Sequence, residues 1–370
     1  MPNMLYAGLM SGTSTDGVDA VLADFSRPAQ PTVRAAVSLP MPAPLRAELL
    51  ALNITGPDEL ARSALAANAL AELYASATLK LLALARCTPS DVRAIGAHGQ
   101  TVRHDPAAGY TIQINAPALL AQRTGIAVIA DFRSRDVAAG GQGAPLVPAF
   151  HQALFASSRP RAVLNLGGIA NLTLLDPNEE VRGFDTGPAN VLLDLWVASC
   201  KGKTYDEDGA WAASGLCNTK LLDYLLSSEP WFELPPPKST GRDRFNWAWL
   251  GQRLAQFDWQ AAGLREQDVQ ATLQQLTVQT IARALKRYAP NTEDLLVCGG
   301  GALNGSLMRE LTAALPYPVR ATSELGVPVQ QVEALAFAWL AWAHDQAYAA
   351  GLPSVTGAVS ANVLGCKYPA

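Results

Sequence analysis

The stretch from Gly8 to Phe25 reads GLMSGTSTDGVDAVLADF, and it places small, hydroxylated and acidic residues between two apolar segments. The apolar segments 4–9 and 18–25 predict two strands that flank a loop. Backbone N–H groups without bulky side chains can converge on an anion, and serine and threonine hydroxyls add further donors. The stretch therefore predicts a β-hairpin that holds an anionic group.

Two later stretches are also glycine-rich, and the first of them repeats this design. Ala162–Asp176 (AVLNLGGIANLTLLD) predicts an apolar strand, a Gly-Gly turn and a second apolar strand, about half the chain away from the first hairpin. Asp294–Leu315 predicts a strand, a triple glycine and a helix. Any one glycine-rich strand end is most often an ordinary turn. The repetition of the hairpin is the first indication that the two halves of the chain are related.

These three loops exclude the two commonest nucleotide folds. A P-loop requires a lysine and a following helix, whereas the opening loop has no lysine and leads into a second strand. A dinucleotide-binding fold requires its glycines at the first strand–helix turn, and Gly299, Gly301 and Gly305 come too late in the chain. Two phosphate-holding hairpins and a glycine-rich turn instead fit an actin-like ATPase fold (sugar kinase, Hsp70 and actin; ribonuclease H-like). In that fold two α/β domains face each other across an interdomain cleft.

Length and patterning agree with two α/β domains. The 370 residues are long for one core, and segments predicted as strands and helices alternate. The glycine-rich stretch 138–148 is a predicted hinge. Domain I is predicted at 1–137 with a C-terminal return at about 345–370. Domain II is predicted at 138–344, with the second hairpin, the catalytic aspartate and the adenosine site.

Composition excludes several classes of function. The net charge is −4 and no block of lysine or arginine exceeds two residues, which argues against a nucleic-acid partner. No apolar run is long enough for a membrane span, and the N-terminus lacks the pattern of a signal peptide. The five cysteines are scattered and the histidines lack metal-ligand spacing, so we expect free thiols in a reducing cytoplasm and no zinc site.

Seven motifs narrow the function further. In chain order they read GLMSGTSTDGVDA, GAHGQTVRHDP, LNLGGIANLT, GFDTGPANVLLD, PKSTGRDRFN, CGGGALNGSLM and EALAFAWLA. Together they closely resemble the 1,6-anhydro-N-acetylmuramic acid kinases of bacterial cell-wall recycling, from Gly8 to about Gly365. The resemblance implies a cytoplasmic, homodimeric enzyme that uses ATP and Mg²⁺. It would open the anhydro ring with water and phosphorylate O6, giving N-acetylmuramic acid 6-phosphate and ADP.

Two acids are the predicted catalytic residues. Asp185 follows the apolar segment VRGF and precedes TGPAN, where Pro188 suits a first helical turn. It is either the general base or a helix cap, and the resemblance favours the base. Glu333 begins the predicted helix EALAFAWLA, where an acid is favourable without any function. The resemblance implies that it faces the sugar.

The resemblance also implies the binding residues. The γ-phosphate and magnesium are assigned to the opening loop and its second strand: Ser11, Gly12, Thr13, Ser14, Thr15, Asp16, Gly17, Val18 and Asp19. The β-phosphate and the adenosine are assigned to the later glycine turns: Gly167, Gly168, Gly299, Gly300, Gly301 and Asn304. No direct metal ligand is assigned, because Mg²⁺ keeps several waters, so Asp16 or Asp19 would act through one of them. Asn304 is otherwise an ordinary helix N-terminal residue.

For the sugar, the segment AHGQTVRH supplies His98, Gln100 and Thr101 as partners of the N-acetyl and hydroxyl groups. The lactyl carboxylate needs a cation or donors, and Arg133 and the loop KSTGR (238–242) remain alternatives. A histidine at a strand end is otherwise most often a packed core residue. Three other functions stay open: a kinase for an ordinary open sugar, an actin-like chaperone or filament ATPase, and a binding module without catalysis.

Overall fold

The computed structural model describes residues 4–12 and 15–370. The strands are β1 Leu5–Met10, β2 Gly17–Asp24, β3 Thr32–Pro40, β4 Val92–Ala97, β5 Gln100–Asp105, β6 Tyr110–Ile114, β7 Val128–Ala130, β8 Arg161–Leu166, β9 Ile169–Leu175, β10 Arg182–Pro188, β11 Asp294–Cys298, β12 Val319–Ala321 and β13 Cys366–Tyr368.

The helices alternate with these strands. They are α1 Ala43–Ala51, α2 Glu59–Ala85, α3 Pro117–Thr124, α4 Ser134–Ala138, α5 Val147–Phe155, α6 Asn190–Lys201, α7 Ala210–Ala213, α8 Thr219–Ser227, α9 Trp247–Phe257, α10 Glu266–Tyr288, α11 Gly305–Ala314, α12 Val332–Asp345 and α13 Pro353–Thr356. Short 3₁₀ helices lie at Pro89–Asp91, Glu207–Gly209, Pro230–Glu233, Gly300–Leu303 and Thr322–Leu325. No helix in the described ranges is long and apolar enough to cross a membrane.

The chain divides into two compact units, and the first comprises Met1–Leu154 with Gln331–Ala370. Its six-stranded sheet has the order β13-β7-β4-β1-β2-β3. β1, β2 and β3 form an antiparallel meander, while β4 lies parallel to β1 on its other side. β5 and β6 form a separate hairpin. The alanine-rich α2 packs its apolar face against the meander.

Two strand glycines let α12 lie directly on this sheet. A Cβ atom at Gly8 would collide with the Ala334 carbonyl oxygen and lie 2.5 Å from the Ala338 amide nitrogen. A Cβ atom at Gly96 would collide with the Phe337 carbonyl oxygen. Glycine inside a strand often marks such a close backbone approach. The buried α12 is therefore fixed in register against β1 and β4.

The second unit, Phe155–Gln330, repeats the arrangement of the first. Its sheet has the order β10-β9-β8-β11-β12. β8, β9 and β10 form an antiparallel meander, and β11 lies parallel to β8. The hairpins β1–β2 and β8–β9 thus hold equivalent places in two sheets of like topology, as the sequence repeat indicates.

The unit boundaries differ from those expected from the sequence. The glycine-rich stretch 138–148 stays with the first unit, whose first segment ends at Leu154 rather than at residue 137. The first unit resumes at Gln331 rather than near residue 345, because α12 packs on β1, β2 and β4. Glu333 consequently belongs to the first unit, not to the second.

Candidate active site

The opening loop joins β1 to β2 beyond their last pair, Met10 and Asp19. The amide of Thr15 donates to the Gly12 carbonyl at 3.0 Å, and Thr15 has a positive φ of 53°. The Asp16 carbonyl accepts from the amide of Met41 at 3.0 Å. These bonds hold both described ends of the loop. Thr13 and Ser14, which the sequence analysis assigns to phosphate binding, lie outside the described residues.

The side chain of Gln100 holds this loop through two hydrogen bonds. Its Oε1 accepts from the Ser11 hydroxyl, and its Nε2 donates to the Gly12 carbonyl at 3.2 Å. Gln100 is 1% exposed and Ser11 is equally buried. The sequence assigns Gln100 to the sugar, whereas these contacts make it a support of the opening loop.

The two loop acids are both exposed but have different partners. Asp16 is exposed and lies 3.6 Å from the Arg46 guanidinium. Asp19 accepts from the Ser38 hydroxyl, and loss of water around its carboxyl raises its pKa, which Ser38 opposes. Val18 points into the core between them. Among the residues that the structure describes, no three acidic, histidine or cysteine side chains cluster as a metal site.

His98 and Arg133 form a pair in the first unit. The Nε and Nη2 groups of Arg133 donate to His98 Nε2 at 3.1 and 2.9 Å, and its Nη1 donates to the Gly143 carbonyl at 2.8 Å. Burial and the nearby guanidinium lower the pKa of His98 to about 3. The ring is therefore neutral, with Nε2 as an acceptor.

The positive charge of Arg133 faces two acids. Burial lowers the pKa of Arg133 to about 10, while Glu333 and Asp136 oppose that shift. Asp136 already accepts from the Gly143 amide at 2.7 Å and the Thr356 hydroxyl at 2.8 Å. Glu333 is half-buried in the first turn of α12. The structure thus brings His98, Arg133 and Glu333 together.

Thr101 is half-buried, and its hydroxyl accepts a hydrogen bond from the side-chain amide of Gln113 at 3.1 Å.

Asp185 lies in the second unit, inside β10 rather than at its end. A β-bulge interrupts the pairing between Asp185 and Gly187. The Oδ2 atom of Asp185 accepts from the Thr240 amide at 2.8 Å and from the Ser239 hydroxyl at 3.1 Å. Helix α6 begins at Asn190 with Ala189 as its N-cap, so Pro188 belongs to the strand. The expected placement of Pro188 in the first helical turn is wrong, and Asp185 does not cap α6.

The environment of Asp185 suits a base. Burial raises its pKa to about 6, although Thr240, Ser239 and the charge of Lys238 lower it. Among the described residues, only Oδ2 accepts hydrogen bonds, which leaves Oδ1 open. The carboxylate is therefore held by one oxygen, ionised at neutral pH and more basic than an ordinary aspartate.

The Gly167–Gly168 turn joins β8 to β9. Its two carbonyls accept from the first amides of α6, including Asn190 at 3.1 Å and Val191 at 3.1 Å. A Cβ atom at Gly167 or Gly168 would meet nothing closer than 3.5 Å. The packing of the described residues therefore does not require glycine here, and the turn leaves room for another group to approach its backbone.

In the triple glycine 299–301, unlike the Gly167–Gly168 turn, close packing requires glycine at two of the three positions. Gly299 has a φ of 83°, and a Cβ there would lie 2.7 Å from the Leu166 carbonyl oxygen. A Cβ at Gly301 would lie 2.6 Å from the Leu166 Cβ, whereas one at Gly300 would meet nothing within 4 Å. Asn304 caps α11, with its Oδ1 accepting from the Leu307 amide at 2.9 Å. The turn packs against β8 on one side and is open at Gly300.

Sequence reasoning missed the partners of Asp185. It names the loop 238–242 only as a candidate for the lactyl carboxylate, whereas Lys238, Ser239 and Thr240 contact Asp185 or its strand. A serine and a threonine in a polar loop are too common to identify which carboxylate they bind. Only the contact in the folded protein identifies Asp185 as the carboxylate that they bind.

Known proteins match this chain over nearly its whole length. Residues 4–370 match the family model described as anhydro-N-acetylmuramic acid kinase. A protein of that name from Bordetella pertussis is 62% identical over 370 residues, covering 100% of this chain and 97% of the relative. One from Pseudomonas putida is 52% identical and covers 99% of both chains.

Solved structures show the same fold at low identity. The Acidaminococcus fermentans (R)-2-hydroxyglutaryl-CoA dehydratase component A has a TM-score of 0.51 at 11% identity, covering 92% of this chain and 98% of that one. The activator of the 2-hydroxyisocaproyl-CoA dehydratase from Clostridium difficile, with bound ADPNP, has a TM-score of 0.50 at 11% identity, covering 93% and 96%. The predicted actin-like ATPase fold is confirmed.

Proposed function

The chain belongs to the anhydro-N-acetylmuramic acid kinase family, and from that membership we propose that it phosphorylates 1,6-anhydro-N-acetylmuramic acid with ATP. The enzyme opens the anhydro ring with water and phosphorylates O6, giving N-acetylmuramic acid 6-phosphate and ADP. The observation that carries the mechanism is the Asp185 carboxylate, fixed through one oxygen and with a pKa of about 6. We place the reaction in cell-wall recycling in the cytoplasm.

Asp185 acts as the general base. The substrate has no free 6-hydroxyl, because O6 is bonded to C1, so the phosphoryl acceptor must form during the reaction. Asp185 takes a proton from a water that attacks C1, and the C1–O6 bond breaks. O6 receives the γ-phosphoryl group as the bond of that group to ADP breaks, and ADP leaves. Transfer of that group spares O6 from leaving as a free alkoxide, which couples ring opening to ATP.

The two hairpins supply the phosphate contacts. The N–H groups of Gly167 and Gly168 make no hydrogen bond with other described residues, and the turn has room for an approaching anion. Ser11 and Gly12, supported by Gln100, serve the γ-phosphate, and the open side at Gly300 serves the adenosine. These features fit a nucleoside triphosphate.

One acidic side chain of the opening loop would hold Mg²⁺. Asp19 is the better candidate, because Asp16 already lies beside the Arg46 guanidinium. Mg²⁺ keeps several of its waters and takes few protein ligands, so one acid at this loop would be enough to hold it. When bound with ATP, the ion neutralises charge on the transferring phosphoryl group.

The sugar is assigned to the first unit. Arg133 keeps N–H groups beyond those used on His98 and Gly143, so its guanidinium can receive the lactyl carboxylate. Lys238 and Ser239 are engaged elsewhere, which favours Arg133 over these two residues of the loop 238–242. Glu333, His98 and Thr101 then contact the sugar hydroxyl and N-acetyl groups. Homodimer formation is a further proposal, which sedimentation equilibrium tests.

The proposed function predicts a stereochemical outcome. The bridge oxygen is β at C1 and blocks its own side, so water must attack from the opposite face and give the α-anomer first. We expect ADP release only with the anhydrosugar, and an α-anomeric proton signal before mutarotation. Ring opening without ATP, or a β-anomer at the earliest times, would overturn this coupled scheme. Faster turnover of open N-acetylmuramic acid would favour an ordinary sugar kinase instead.

The support of the opening loop predicts a selective binding defect. Gln100→Leu removes both bonds to Ser11 and Gly12, so we expect the KM for ATP to rise about 10-fold, as for the loss of one or two hydrogen bonds. Gln113→Leu is the matched control, because this amide contacts Thr101 and Thr111 and not the loop. Steady-state kinetics that show a rise in KM for the sugar alone would return Gln100 to the sugar site.

A further inference from the structure

One segment of the second unit holds both the backbone and the side chain of Asp185. The amide of Asp185 donates to the Lys238 carbonyl at 3.1 Å. Two residues later along that segment, the Thr240 amide donates to Asp185 Oδ2 at 2.8 Å, with the Ser239 hydroxyl at 3.1 Å. Any movement of residues 238–240 would therefore move the carboxylate.

The side chain of Lys238 anchors this segment. Its Nζ donates to the Phe232 carbonyl at 2.9 Å and to the Trp231 carbonyl at 3.4 Å, and lies 4.3 Å from the centroid of the Trp231 ring. These groups belong to the 3₁₀ helix Pro230–Glu233. A half-buried ammonium that makes two hydrogen bonds and a cation–π contact is held far more tightly than a surface lysine.

That 3₁₀ helix is itself fixed. Glu229, which is 5% exposed, accepts from the Trp231 amide at 3.3 Å and from the indole of Trp249 at 2.7 Å. It also pairs with Arg253 at 3.0 Å and with Arg244 at 3.2 Å. Lys238 therefore connects the segment on Asp185 to a rigid buried network.

Lys238 also sets the charge beside the base. The charged groups that face it are Glu233, Arg287 and Asp185, and Arg283 lines the same surface pocket as Lys238. Glu233 and Arg287 pair with each other at 3.2 Å, so their fields largely cancel. The charge of Lys238 lowers the pKa of Asp185, and burial lowers the pKa of Lys238 itself.

We propose that Lys238 is the positioning residue of the base: it holds residues 238–240 on Asp185 and places a positive charge near this carboxylate. The proposal rests on the proposed function, since it takes Asp185 as the base. It gives Lys238 a role at the reacting end of the site, whereas the sequence offers it only as a ligand of the lactyl carboxylate.

The test compares Lys238→Met, which matches the length of the side chain without its charge, with Lys238→Arg and Arg283→Met. We expect Lys238→Met to move the acid limb of kcat to higher pH by roughly half a unit or more, and to lower kcat at its plateau several-fold. The KM for ATP should stay unchanged. Lys238→Arg should restore the limb, and Arg283→Met should leave it in place, because that exposed guanidinium is screened by water.

A second readout separates this proposal from the role of Asp185. The carboxyl of Asp185 is titrated in the free protein by carbon-13 NMR, assigned by its loss in Asp185→Asn. We expect Lys238→Met to raise that titration midpoint whether or not Asp185 is the base. An unchanged midpoint overturns the proposal even where Asp185→Asn is inactive. If Lys238→Met does not fold, Lys238→Gln keeps a donor for the Phe232 carbonyl without the charge and is judged by the same midpoint.

Discussion

Asp185→Asn is expected to lower turnover by at least ~10²-fold, the low end of what general bases contribute. Asparagine keeps an oxygen for the Thr240 amide and the Ser239 hydroxyl, so the segment 238–240 stays in place. It cannot accept a proton from water. Single-turnover kinetics should show the loss in the chemical step, with Kd for ATP and for the anhydrosugar within about twofold of wild type.

The pH dependence of the wild-type enzyme tests independently whether Asp185 is the general base. The base must be ionised, and burial raises its pKa to about 6. We therefore expect kcat to fall about tenfold per unit as the pH drops below 6, and Asp185→Asn to lose this limb. Turnover of Asp185→Asn within a few-fold of wild type would show that Asp185 only binds the loop.

Stability serves as the control for this variant. The pKa of Asp185 in the folded protein lies above the ordinary 3.8, so the folded state binds this proton more tightly than the unfolded state. The resulting stability is present at low pH and is lost as the pH rises from about 4 to about 6. At neutral pH the ionised, buried carboxylate costs stability, and asparagine removes that cost. The Tm of Asp185→Asn should therefore equal or exceed that of wild type.

Gly8→Ala is expected to destabilise the first unit by about 3 kcal/mol or more, at the upper end of overpacking effects. The added methyl would collide with the Ala334 carbonyl and lie 2.5 Å from the Ala338 amide. Both are backbone atoms of α12, so relief would require the whole helix to move from the sheet. Urea unfolding followed by circular dichroism measures the loss.

Gly56→Ala is the matched control within the same unit. A Cβ there meets only the end of the Arg62 side chain at 3.2 Å, which can move at little cost. We expect its unfolding free energy to stay within about 0.5 kcal/mol of wild type. Equal stability of Gly8→Ala and Gly56→Ala would contradict the close packing of α12 on β1.

Several features of the protein follow from local pattern alone. Alternating apolar residues around a polar loop predict the hairpins β1–β2 and β8–β9, and the structure places them at equivalent positions of two similar sheets. The alanine-rich segment 59–86 predicts a helix, and α2 spans Glu59–Ala85. Periodicity is a property of neighbouring residues, so one sequence suffices to detect it. The ordered motifs likewise sufficed for the fold and the family.

Contacts between distant residues were decided only by the tertiary structure. Asp185 and Thr240 are 55 residues apart, and Ser11 and Gln100 are 89 apart. No periodicity relates such pairs, because their meeting depends on how strands, loops and helices pack. The same reason explains why the sequence misplaced α12 and Glu333 in the second domain and put Pro188 in a helix. The pKa of Asp185 arises from burial among these remote partners, so the sequence identifies the carboxylate while the fold determines its basicity.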